Sequence, residues 1–254
     1  MSQALSLPRL DCHAHVAPDV TRAQITALDG AFIFAMTRSP AEARAAARRS
    51  DDTIMWGYGA HPGVKTSLAA VTVEDVRAAT QLHVLIGEVG LDRSTALQPQ
   101  QVVLDSILEG CRQQPVLISL HSTGRTADLL GALERQPHAG AILHWFNGTA
   151  SEIQRAADVG CYFSVNAAMT DEGLTLIPLD RILPETDFPS SRRSTKAKIP
   201  GDIDFLEARL AALHNTSPAE IRQVFYRNLA ALTQRSGTRH RLPPALQQAL
   251  ATAS

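Results

Sequence analysis

Eight short apolar runs alternate with segments carrying helical signals along this 254-residue chain, and that alternation leaves few folds open. The runs are Leu10–Val16, Ala31–Met36, Ile54–Ala60, His83–Glu88, Pro115–His121, Gly140–Trp145, Cys161–Val165 and Arg181–Asp187. Helical patterns fall at Thr21–Leu28, Pro40–Arg49, Val73–Leu82, Pro99–Gln113 and Thr126–Gln136. Two capping boxes, Thr149–Glu152 and Ser217–Glu220, open further helices, and Ile203–His214 reads as another. Strands joined by helices return to the same end of a sheet and so lie parallel. Eight of them predict an α/β fold closed as a (β/α)8 TIM barrel, whose usual size of roughly 250 residues suits this chain. We read residues 1–254 as one domain, with a core over about 8–235 and a peripheral C-terminal tail over 236–254. That tail carries a short helix near Leu246–Ala251.

Composition narrows the function classes. A net charge of −1 predicts no general affinity for polyanions, so any such contact must come from a local patch. The three cysteines, Cys12, Cys111 and Cys161, are widely spaced and form no C-x-x-C pair, which suits a reducing compartment. No hydrophobic leader precedes Asp11 and no run reaches the ~20 apolar residues of a membrane span, so we expect a cytoplasmic protein without membrane contact.

The polar residues at the strand ends are more telling. In the first run, period-two alternation places Asp11, His13 and His15 on one face and turns Cys12 and Ala14 away. Two imidazoles so spaced suit one cation, and Asp11 is placed to accept a hydrogen bond from a ligating ring. Glu88, His121, His144 and Asp187 end the fourth, fifth, sixth and eighth runs. A closed barrel gathers the C-terminal ends of its strands at one mouth. Four histidines and two carboxylates exceed a four-ligand structural zinc site and suit two cations sharing a bridging carboxylate.

Read together, these segments resemble the TatD-type metal-dependent deoxyribonucleases of the amidohydrolase-like barrel superfamily. The resemblance rests on Asp-Cys-His13-Ala-His15, Gly-Ala-His61-Pro, Ile-Gly-Glu88-Val-Gly-Leu-Asp92, Leu-His121-Ser, Leu-His144-Trp-Phe-Asn-Gly148 and Pro-Glu-Thr-Asp187-Phe-Pro, in family order, with Asn228 a weaker match. It implies two divalent ions (zinc, manganese or magnesium), one held by His13, His15, Glu88 and Asp187, the other by Glu88, His121 and His144. It further implies that Asp187 is the general base and that DNA is the substrate. No lysine stands in the fourth run to bridge metals as a modified side chain; Glu88 takes that place. A narrower similarity, through His144-Trp-Phe-x-Gly148 and Cys161–Met169, is to the TatD-like component of the Qat anti-phage system, and it implies partner proteins.

Departures from the family pattern fall at expected substrate contacts: Arg93 follows Gly-Leu-Asp92, Thr123 follows His121-Ser with Arg125 beyond it, and Trp145 and Asn147 follow His144. The basic loop Ser191–Lys198, with Arg192 and Arg193, reads either as a solvated loop or as a phosphate-steering patch beside Arg93 and Arg125. His61 either bonds backbone at a strand end or contacts substrate. Asp92 either holds its own loop or supports the site, and Trp145 either packs in the core or offers a base a stacking face. Two rivals share this reading of the chain: a small-molecule amide, ester or lactone hydrolase on the same barrel, and a mainly scaffolding subunit of a defence complex.

Overall fold

A computed structural model describes residues 7–68, 71–190 and 192–253. Its strands are β1 (Leu10–Ala14), β2 (Phe32–Ala35), β3 (Ile54–Tyr58), β4 (Leu85–Gly90), β5 (Leu117–His121), β6 (Ala141–His144), β7 (Tyr162–Val165) and β8 (Ile182–Pro184). They pair in sequence order and every pair is parallel. The seam between β1 and the chain just past β8 is bridged by backbone: Asp187 N–H donates to His13 O at 2.9 Å and His15 N–H to Phe188 O at 2.7 Å. The result is the expected (β/α)8 barrel.

β1 is buried along its whole length rather than on one face, because helices cover the outside of a parallel barrel while side chains fill its inside. Cys12 is accordingly a packed core thiol. Five strands, β1, β2, β3, β6 and β8, stop one to three residues before their apolar runs end. β6 ends at His144 because Trp145 turns to φ +38°, and the chain leaves the extended conformation by Asp187, at φ +49°.

Both expected capping boxes form. Thr149 accepts from Glu152 N–H and Glu152 from Thr149 N–H, and Ser217 and Glu220 do the same with Pro218 in the first helical position. The long helix after β4 runs Leu97–Cys111, slightly earlier than Pro99–Gln113, and Gln113 lies beyond it at φ +60°. A short helix over Asp171–Leu176, capped by Thr170, fills the crossover between β7 and β8, a segment to which the sequence pattern assigns no element. Within the tail the helix Pro244–Ala253 lies against Pro218–Arg235, with Leu246 and Leu250 of the helix and Leu242 just before it all buried. It is peripheral to the barrel yet packed on it. Among the described residues no helix is long and apolar enough to cross a membrane.

Asn228 ties the last barrel helix to the start of β8. Its Nδ2 donates to Leu179 O at 2.9 Å and to Ile182 O at 2.7 Å from a buried position. Asn228→Ala would leave both carbonyls without that donor. We expect it to lower stability by about 1–3 kcal/mol, read as a lower urea midpoint at unchanged m-value.

Candidate metal centre

The barrel brings the six strand-end residues together. His13 and His15 come from β1 and the residue just past it, Glu88 from β4, His121 from β5, His144 from β6, and Asp187 from the turn after β8. Two glycines let β4 carry its carboxylate inward. A Cβ on Gly87 would lie 2.8 Å from Met36 Sδ and 2.9 Å from Ser119 Cβ. Gly90 sits at φ +138°, where a Cβ would lie 2.2 Å from His121 O.

Glu88 lies at the centre of the group, and its two oxygens serve different neighbours. Oε2 faces His15 Nε2 at 3.2 Å and His13 Nε2 at 3.6 Å. Oε1 faces His121 Nδ1 at 2.5 Å, His61 Nε2 at 3.4 Å and His144 Nε2 at 3.6 Å. Asp187 Oδ1 stands 3.5 Å from His15 Nε2 and 3.9 Å from His13 Nε2. Three overlapping sets have ligand atoms within 4.8 Å of one another: His13, His15 and Glu88; His13, His144 and Asp187; His61, Glu88 and His121.

The outer nitrogens of three rings are already engaged. His15 Nδ1–H donates to Met36 O at 3.1 Å, His121 Nε2–H to Asp92 Oδ2 at 2.8 Å, and His144 Nδ1–H to Glu185 Oε2 at 3.0 Å. The inner nitrogen of each ring, when neutral, therefore turns a lone pair toward carboxylate oxygens. That arrangement is repulsive unless positive charge lies between them. His13 Nε2 and His121 Nδ1 are buried and have no hydrogen-bond partner. Orphaned imidazole nitrogens facing carboxylates form a donor set that fits divalent cations.

The electrostatics carry the same demand. Burial opposes a charged His15 ring, but Asp187 and Glu88 outweigh it and raise the ring to about 10. Burial opposes a charged His144 too, and Glu185 first among its neighbours raises it to about 9. His13 goes the other way, lowered to about 3 by burial and by His144 beside it. Burial pushes Glu88 upward, yet His121, His13, His15 and His61 together hold it well below the ordinary carboxylate range. A pocket that draws protons onto its rings calls for positive charge, which protons or cations can supply.

Asp11 does not accept from a ligating ring. Its carboxylate accepts from the backbone N–H of His13, Thr186 and Gly201 and from the Thr186 hydroxyl at 2.6 Å. The register of β1 slips between Asp11 and Ala14, and Asp11 serves to tie that strand to the chain beyond β8. Ser119 Oγ, 2.8 Å from His13 Nδ1, backs that ring instead. Glu185 and Ser119 are the functional positions that sequence reasoning missed. Each stands two residues before a strand-end candidate, Asp187 and His121, and the same alternation that grouped His13 with His15 marks both.

A cavity of about 420 Å³ opens over the centre. His61, Trp145 and Asn147 form part of its wall, as do Thr123 and Gly124. His61 Nδ1 accepts from Gly63 N–H at 2.9 Å, so Nε2 is left as the donor nitrogen, and backbone bonding and site contact coexist in one ring. Asp92 likewise does both things asked of it, accepting from Ser94 N–H and from His121. Trp145 is half-buried with its ring edge-on to His144. Arg93, Arg125 and Arg193 are not among the residues lining this cavity. The Arg93 stem lies over Gly124 at the rim, Arg125 keeps a buried Nε without a hydrogen-bond partner, and Arg193 is exposed. Ser191 and the Arg192 side chain lie outside the described residues.

The chain is similar to known proteins over most of its length. It is 28% identical over 200 residues to YcfH of Escherichia coli K12, an uncharacterized metal-dependent hydrolase, a match covering 71% of this chain and 74% of the relative. It is 29% identical over 210 residues to the 3'-5' ssDNA/RNA exonuclease TatD of Klebsiella pneumoniae, covering 71% of this chain and 79% of that protein. In fold it matches the crystal structure of the TatD homologue YjjV from Escherichia coli K12 at a TM-score of 0.74 and 22% identity, over 88% of this chain and 97% of that one. The family model described as TatD related DNase matches residues 10–234. With strands, strand-end donors and family model all in agreement, this chain belongs to the TatD related DNase family.

Proposed function

We propose that this chain is a metal-dependent phosphodiesterase acting on DNA, with two divalent ions held by His13, His15, Glu88, His121, His144 and Asp187. The observation that carries the proposal is the divided carboxylate of Glu88, one oxygen toward His13 and His15 and the other toward His121 and His144. That division supports the ligand sets implied by the family resemblance, with Asp187 on the His13–His15 side. The imidazole-rich set favours zinc, while manganese and magnesium accept its mixed nitrogen and oxygen donors less readily. When bound, such ions acidify water and neutralise charge on the oxygens of a phosphodiester.

The chain's own residues do the rest. Asp187, on the cavity wall, receives the proton of the attacking water. His61 presents Nε2–H to a non-bridging phosphate oxygen, since Gly63 has claimed its other nitrogen. Trp145 offers a face for a base and Asn147 a polar contact on the same wall. Arg93 at the rim raises the local concentration of a polyanion that the nearly neutral molecule does not otherwise attract. The exonuclease relative makes single-stranded DNA or RNA the first substrates to try. The proposal extends to service beside partner proteins of a Qat-type anti-phage system, because His144 and Trp145, which open the motif carrying that narrower similarity, line the cavity.

Metal analysis of the purified chain is expected to give about two equivalents of divalent ion per chain. A chelator should abolish cleavage in a panel of single- and double-stranded DNA, RNA, esters and amides, and added manganese or zinc should restore it for nucleic acid. Activity that survives in His13→Ala/His15→Ala places the chemistry elsewhere, and turnover confined to the ester or amide panel rejects the nuclease reading. Asp187→Asn is expected to lower kcat on DNA by about 10²–10⁴-fold. Arg93→Ala should raise KM and reduce the slope of log affinity against log salt by about 0.7, the value of one phosphate contact on a single strand. An unchanged slope removes Arg93 from the substrate path.

A further inference from the structure

The rings on the two sides of Glu88 are backed by groups of different charge. On the Oε2 side both partners are neutral: Ser119 Oγ stands 2.8 Å from His13 Nδ1, and His15 Nδ1–H donates to the Met36 carbonyl at 3.1 Å. On the Oε1 side both are carboxylates: His121 Nε2–H donates to Asp92 Oδ2 at 2.8 Å and His144 Nδ1–H to Glu185 Oε2 at 3.0 Å. Neutral acceptors orient a ring. A carboxylate also fixes which nitrogen keeps the lone pair and makes that nitrogen a stronger donor.

Glu185 is built into this role. Its side chain is 0% exposed, and among the described residues it pairs with no lysine or arginine. Ser164 O–H donates to Oε2 beside His144, and Asn166 Nδ2 donates to Oε1 at 2.8 Å. Asn166 is itself held, its Oδ1 accepting from Ala168 N–H at 3.0 Å. The Glu185 backbone continues the sheet, its N–H donating to Val165 O at 2.9 Å. Ser164 and Val165 lie on β7, Asn166 and Ala168 in the turn directly after it, and Glu185 directly after β8, so the carboxylate is held at the strand ends.

We infer that Glu185 is a positioning residue that holds and strengthens His144 as a ligand, and that with Asp92 behind His121 it makes the two cation positions of the centre chemically unequal. The inference rests on the two-cation reading above. It assigns Glu185 no contact with substrate; its effect passes through His144.

The test is a stepwise titration of zinc ion into the metal-stripped, full-length chain against a chromophoric chelator, which reads metal affinity without any cleavage assay. Glu185→Gln keeps an oxygen for His144 Nδ1–H and removes the charge; Asp92→Asn does the same behind His121, at a partly exposed position. We expect the wild type to take up two equivalents. In each of these variants one equivalent should weaken about 10–100-fold while the other holds. Ser119→Ala should leave the equivalent that responds to Glu185 intact, and Glu185→Asp, which restores the charge, should recover part of the affinity lost in Glu185→Gln. Wild-type affinity for both equivalents in Glu185→Gln, or equal weakening of both, overturns the inference and leaves the two-cation reading standing. Uptake of fewer than two equivalents by the wild type overturns both. If Glu185→Gln does not fold, as judged by circular dichroism, Asp92→Asn and Glu185→Asp carry the comparison under the same criteria.

Discussion

The carboxylate of Glu88 is the constraint from which the rest of the centre follows. It is an almost fully buried anion held among imidazole rings, and in that setting an uncompensated charge is expensive. Five histidines, from the ends of β1, β5 and β6 and from the loop after β3, surround it because parallel strands all finish at the same rim. Three of those rings spend their outer N–H on other acceptors, so they cannot satisfy Glu88 as ordinary neutral donors. The structure thus concentrates negative charge and lone pairs in one place and leaves positive charge to be supplied.

The same residues close the barrel. Asp187 and His13 face each other at the centre through their side chains and join the sheet across the seam through their backbones. Asp11 reinforces that seam from beneath, gathering Thr186 and Gly201 onto β1. Site geometry and barrel closure are therefore coupled: a shift that opens the seam also moves two of the proposed ligands. Donors carried on strands, with Gly87 and Gly90 allowing the close approach of β4 to its neighbours, hold their positions more tightly than donors on mobile loops would.

Above this rigid floor the wall of the cavity is built from the segments after β5 and β6, where the chain departs from the usual family pattern. Trp145, turned by its positive φ out of the strand, marks the transition from scaffold to wall. The contrast assigns different tasks to the two levels. The floor carries the proposed ligands, and the wall frames the cavity above them.

Much of this was legible in the order of residues. Apolar runs of strand length alternating with helical segments determine a parallel sheet buried on both faces, and eight of them favour its closure into a barrel. Polar residues ending those runs, His13, Glu88, His121, His144 and Asp187, determine that a donor cluster stands at the mouth, because a barrel has only one C-terminal rim. What surrounds each ring was decided by tertiary structure. Asp11 lies two residues from His13 yet serves the seam, while Glu185, 41 residues from His144, accepts that ring's Nδ1–H. Met36 contributes only a carbonyl, which no side-chain pattern can announce. Period-two alternation states which face a residue occupies, and only the curvature and stagger of the closed sheet determine which neighbour meets it there.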